Sequence, residues 1–322
     1  MFARNVTADV EQVAALCASI AHGNGDPPPI VSVDQEGGRV ARIKEGVIRL
    51  PTAHTMGACL DDAMLERVAH VLGKQLGALG FSLDYAPVLD VHTHADNPVI
   101  GDRAFATRPD RVATAGLAFA RGLASSGVAP CAKHFPGHGD THTDSHVELP
   151  RVSHDRARLD AVELLPFRLA AAVIPAVMSA HVVYDALDEA PATLSHRIAT
   201  DILRGELGFR GVLVSDDLEM RAVAETLDAG QAAVLAIEAG CDALLICSSE
   251  DAQLLALEAL VKRAESNASF RTRCEEAEGR VMSLRRAFPP RPLAGDALAH
   301  ALRAPADVLD VLADAGSEAV SS

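Results

Sequence analysis

The stretch GVLVSDDLEM, Gly211 to Met220, decides the fold. Its first half is apolar without alternation, as in a parallel strand buried on both faces, and it turns acidic only at Asp216 and Asp217. Four other runs behave alike: PIVSVDQE (29–36) reaches Asp34 and Glu36, FSLDYAPVLDV (81–91) reaches Asp90, VAPCAKHF (128–135) reaches Lys133 and His134, and PAVMSAHVV (175–183) reaches His181. A sixth run is CDALLICSS (241–249). Amphipathic segments lie between them: Val13, Leu16, Cys17 and Ile20 recur at helical spacing, as do Leu65, Val68, Leu72, Gln75 and Leu79, with the glutamine as a polar break. Gly80, Gly127, Gly211 and Gly240 stand just before strands, where a left-handed helix stop is expected. Strand and helix alternating this way predict a parallel α/β fold. Because the ionisable residues gather at C-terminal strand ends, a single-domain TIM-like (β/α)8 barrel is expected in preference to an open sheet, since a barrel collects those ends round one mouth.

The chain has 322 residues, 49% of them apolar, with 29 basic against 44 acidic residues and a formal charge of −15. That charge repels nucleic acid and anionic membrane surfaces, so neither is an expected partner. Cys17, Cys59, Cys131, Cys241, Cys247 and Cys274 form no CxxC pair, and four of them lie in apolar runs, a pattern of reduced thiols in a cytoplasmic protein. No segment approaches the roughly 20 apolar residues of a membrane span, and MFARNVTADVEQ lacks the apolar core of a secretory signal. No linker or repeat divides the chain, so residues 1–288 are read as one catalytic domain and 289–322 as a C-terminal helical or frayed tail. The oligomeric state is not legible in the sequence.

KHFPGHGDTHTDSH, Lys133 to His146, spaces four histidines at intervals of four. On a helix such a comb suggests zinc, and Asp140, Asp144, His92 and His94 lie near enough in sequence to join it. Pro136, Gly137 and Gly139 argue against a helix. The segment reads instead as a loop leaving a strand, with His138 and His142 solvated and no metal or cofactor expected.

Five stretches together resemble the β-N-acetylhexosaminidases of glycoside hydrolase family 3: VDQEGGRVAR (33–42), NPVIGDRAF (97–105), KHFPGHGDTHTDSH (133–146), MSAHVVY (178–184) and SDDLEM (215–220). Their order and spacing are similar to those of the family's single-domain, peptidoglycan-recycling branch. The resemblance implies a TIM-like barrel that removes terminal N-acetylglucosamine from muropeptides such as N-acetylglucosaminyl-anhydromuramyl peptides. It also implies that a chain starting at FARN lacks most of the first barrel strand, so a truncated first strand is expected.

The resemblance assigns the nucleophile to Asp216 and the acid/base to His146 paired with Asp144. It assigns substrate binding to Asp34, Arg42, Arg103, Lys133 and His134. The chemistry fits these residue types. A retaining glycosidase needs a carboxylate to attack the sugar and a proton donor for the leaving oxygen, and a histidine titrates near neutral pH, so it can give a proton and later take one back. Asp217, next along the strand, is expected to point the other way, while Gly137 and Gly139 are expected to let the loop move over the sugar. Two alternatives stay open: transfer to phosphate by a phosphorylase of the same family, and a catalytically silent sugar-binding relative.

Overall fold

The computed structural model describes residues 1–23, 25–143 and 148–321, with side chains to Ser317. The chain forms two compact units, one of Met1–Leu89, Asp102–Ala132 and Leu284–Ser322, the other of Asp90–Gly101 and Lys133–Ser283.

In the first unit β1 (Ser32–Val33) pairs in parallel with β2 (Leu83–Asp84), Ser32 opposite Leu83, and β2 pairs with the start of β3 (Ala129–Phe135), Leu83 opposite Ala129. Around them lie α1 (Val10–Gly23), α2 (Asp62–Leu79) and α3 (Pro109–Ser126). The α2 sequence explains its own limits. Asp61 caps it by accepting from the Met64 N–H at 2.8 Å, and Gly80 ends it in the left-handed region. Leu65, Val68, Leu72, Leu76 and Leu79 form its buried stripe, each contributing about 2 kcal/mol by removing apolar surface from water. Gln75 interrupts that stripe without loss, because its Oε1 accepts from the Ile48 N–H and its Nε2 donates to the Leu302 carbonyl, both at 2.7 Å. The helices Gly295–Ala301 and Ala306–Ser321 add Leu298, Val308 and Leu312 to the same core.

In the second unit β4 (Ala176–Ser179), β5 (Val212–Asp217) and β6 (Ala243–Leu245) are parallel, with Ala176 opposite Val212 and Ala243 opposite Val214. Gly211 is not the helix stop expected of it. The left-handed residue is Gly208, φ 75°, whereas Gly211 is glycine because an added Cβ would overlap the Pro175 carbonyl oxygen.

The expected closed (β/α)8 barrel with a truncated first strand is corrected by the sheet itself. Among the described residues the parallel sheet has six strands in the order β1-β2-β3-β4-β5-β6, a partial barrel. The chain has six apolar runs, and each contributes one strand to the parallel sheet. The remaining short strands pair elsewhere: Gln35–Gly37 with Val40–Ala41, and Arg151–Val152 with Val183–Tyr184. Ala3–Asn5, where the truncated strand was expected, is a single 3-10 turn with no buried residue.

Candidate active site

In the second unit the end of β3 carries Lys133 and His134, both buried. What fixes His134 is Asp90, fully buried, whose Oδ1 accepts from the backbone N–H of His134 at 3.1 Å and of His138 at 2.6 Å. Its Oδ2 lies 2.7 Å from His134 Nδ1. A carboxylate only accepts, so His134 Nδ1 carries a proton, and in the neutral ring Nε2 is left to accept. Burial alone would raise the Asp90 pKa, but the His134 ring and the His138 contacts outweigh it and hold the carboxyl below its usual range. Asp90 belongs to the acidic strand ends of the sequence but was not expected in the site. Its signal was its position at the end of an apolar run.

At the end of β5, Asp216 is half-buried and its Oδ1 accepts from the Asp217 N–H at 2.8 Å. Burial pushes its pKa up, while His181, His134, the Asp217 N–H and Lys133 pull it down, and the balance lies below the ordinary aspartate value. Asp217 is different: its Oδ1 accepts from the Glu219 N–H at 3.1 Å, it contacts the Cys247 thiol, and burial raises its pKa. Two adjacent carboxylates therefore sit in unlike environments, one held ionised and the other turned back into the chain.

The loop after β3 is anchored before it reaches residue 144. His138 is 2% exposed, not the solvated loop histidine expected. Its Nδ1 lies 2.8 Å from Thr141 Oγ1, its carbonyl accepts from Asn97 Nδ2 at 3.0 Å, and burial together with neighbouring His134 pushes its pKa down to about 4. Gly139 is glycine because a Cβ would overlap the Val91 carbonyl oxygen, a close approach rather than a pivot. Asp140 accepts from Thr93 Oγ1 at 2.7 Å and pairs with His154 Nε2. His142 is exposed and stacks edge-on with His94, ring centroids 4.0 Å apart. Among the described residues no three His, Cys, Asp or Glu side chains are grouped to hold a metal ion. The expected acid/base pair, Asp144 and His146, lies outside the described residues.

In the first unit Asp34 and Arg42 form an ion pair at 3.3 Å, both partly exposed. Arg103 binds Glu36 through two nitrogens at 2.9 and 2.8 Å, a bidentate geometry that fixes both side chains. Gln35, another residue sequence reasoning passed over, organises this corner: its backbone donates to Asp84 Oδ1 at 2.9 Å, its Oε1 accepts from the Arg42 and Ile43 N–H groups, and its Nε2 donates to the Ile43 carbonyl. The structure thus brings Lys133, His134 and Asp216 into mutual electrostatic reach within the second unit, and pairs Asp34 with Arg42 and Arg103 with Glu36 within the first.

Residues 2–284 match the glycosyl hydrolase family 3 N-terminal domain. The chain is 42% identical over 259 residues to a β-hexosaminidase of Alkalilimnicola ehrlichii, covering 78% of this chain and 74% of the relative. Among solved structures it is similar to a family 3 β-N-acetylglucosaminidase from a Paenibacillus species, with a TM-score of 0.86 and 39% identity, covering 94% of this chain and spanning 60% of that protein's length. It is also similar to NagZ from Neisseria gonorrhoeae in complex with N-trifluoroacetyl-D-glucosamine, with a TM-score of 0.78 and 33% identity over 98% of this chain and 89% of that one. By the extent of that match and the identity of those relatives, the chain belongs to glycosyl hydrolase family 3 and is a glycoside hydrolase.

Proposed function

We propose that the protein is a retaining exo-β-N-acetylglucosaminidase that removes terminal N-acetylglucosamine from peptidoglycan fragments in the cytoplasm, in cell-wall recycling. The carboxylate of Asp216 attacks the anomeric carbon, and a covalent glycosyl-aspartate forms as the leaving oxygen departs. His146, oriented by Asp144, gives the proton to that oxygen and then takes one from the water that hydrolyses the intermediate. Asp34, Arg42, Arg103, Lys133 and His134 bind the sugar, the carboxylate accepting from hydroxyls and the cations donating to them.

The observation that carries this reading is the state of Asp216: a carboxylate at the end of β5 whose pKa lies below the ordinary value despite burial, because His181, His134 and Lys133 surround it. A nucleophilic carboxylate has to be ionised at working pH. The names of the relatives support N-acetylglucosamine as the sugar. Incubation with a nitrophenyl N-acetyl-β-glucosaminide, with and without phosphate, tests it. The reading expects nitrophenolate and free N-acetylglucosamine under both conditions. A glycosyl phosphate formed only with phosphate would make the protein a phosphorylase, and no turnover by folded protein would make it a sugar-binding relative.

A further inference from the structure

MSAHVVY places a histidine, His181, at the end of β4's run, and the proposed chemistry gives it no task. It is fully buried, and a buried imidazole has to be satisfied at both nitrogens. Nε2 lies 3.0 Å from the main-chain carbonyl of Asp217, and Nδ1 lies 2.9 Å from Thr193 Oγ1. A carbonyl only accepts, so Nε2 carries the proton. Thr193 Oγ1 also lies 2.8 Å from Ser179 Oγ and 3.0 Å from the Ala180 carbonyl. The threonine has one proton and three acceptors within reach, the Ala180 carbonyl, Ser179 Oγ and His181 Nδ1, and its oxygen ties the ring to the main chain of β4's run.

Residue 217 is held from both sides. Its carbonyl accepts from His181, and its N–H donates to Asp216 Oδ1 at 2.8 Å. The imidazole therefore reaches the Asp216 carboxylate through one residue of main chain and also through its charge. On the reading of Asp216 as nucleophile, we propose that His181 is a positioning residue that aims the Asp216 carboxylate and keeps it ionised, holding the Asp217 carbonyl through Nε2 while Thr193 fixes the ring at Nδ1.

Other ionisable groups face Asp216: Lys133, His134 and His138 from β3 and the loop after it, Asp217 beside it on β5, and Cys247 beyond β6. Loss of His181 leaves these in place, so its effect on the pH profile is a displacement of the acidic limb and not its removal. Burial raises the Asp216 pKa, and His181 is the foremost group opposing it. Without that group the carboxyl titrates higher, and the acidic limb moves to higher pH.

The test compares His181→Leu, His181→Gln and Asp216→Ala with the wild type, using pH profiles of kcat and kcat/KM on a nitrophenyl N-acetyl-β-glucosaminide and melting curves for all four. In His181→Leu kcat should fall on the order of 10²-fold, the scale of a reacting group misplaced by about an ångström, with KM nearly unchanged and the acidic limb raised. His181→Gln keeps a donor for the Asp217 carbonyl but cannot become cationic. It should recover most of kcat while its acidic limb stays raised, and it carries the test if the leucine variant does not fold. An unmoved acidic limb in His181→Gln, or a folded His181→Leu that loses melting temperature but keeps kcat within about twofold of wild type, would overturn the inference. Substantial activity in Asp216→Ala would overturn the nucleophile reading itself, and this inference with it. A dead Asp216→Ala beside an unshifted His181→Gln would overturn the inference alone.

Discussion

Asp90 gathers two backbone N–H groups and one imidazole onto a single carboxylate with no exposure to water. Asp90→Asn keeps the size but presents an amide to His134 Nδ1, which then has to accept, so the ring's proton moves to Nε2 and the proposed sugar-facing chemistry inverts. The expected result is a loss of about 1 to 3 kcal/mol in stability, with kcat/KM falling by more than that loss of folded protein explains; denaturant melts and kinetics on the same preparation check it. His138 makes a second residue-scale prediction. Its pKa is about 4 in the folded chain against 6.5 for an ordinary histidine. Between those values the unfolded chain binds a proton that the folded one does not, so stability is full above pH 6.5 and is lost as pH falls towards 4. Asp90, with its lowered pKa, adds to the loss further into acid. Unfolding by urea from pH 7 to 4 should show a decline on the order of 3 kcal/mol from His138, and His138→Asn should flatten it. At this scale the sequence marked Asp216, Lys133 and His134 through motif and strand-end position and Asp90 through strand-end position without a role, but it did not mark Gln35 or Thr193. Their roles are to satisfy buried neighbours far along the chain, as when Gln35 meets Asp84, and such pairs leave no local pattern.

Elements were legible where the apolar pattern was continuous. All six apolar runs are strands of the parallel sheet, and the periodic stripes of α1 and α2 are helices with Val13, Cys17, Leu65 and Leu72 buried. What misled was counting glycines as helix stops. Gly80, Gly127 and Gly240 do have positive φ, but Gly211 is demanded by the passing Pro175 main chain, a contact no local rule anticipates. Gly211→Ala should therefore overpack the β4–β5 junction, lowering stability by about 1 to 3 kcal/mol and the melting temperature by about 5 °C; an unchanged melt would show that the junction relaxes freely. The loop after β3 taught a related lesson. The sequence excluded a helical comb, but which histidine was buried depended on Asp90, Asn97 and Thr141 meeting His138 in space.

For the whole chain, the resemblance carried the family further than the architecture. Six runs make six strands, whereas the expected barrel came from the ionisable strand ends and from the motifs, neither of which counts strands. No helix among the described residues is long and apolar enough to cross a membrane. The proposed reaction rests on one carboxylate. Incubation with a fluorinated N-acetylglucosaminyl substrate that forms the glycosyl-enzyme faster than it hydrolyses, followed by proteolysis and mass spectrometry, tests that claim most directly. The account predicts one added N-acetylglucosaminyl group, on the peptide containing Asp216 and on that residue. A label on any other side chain, or turnover with no covalent adduct, would contradict it.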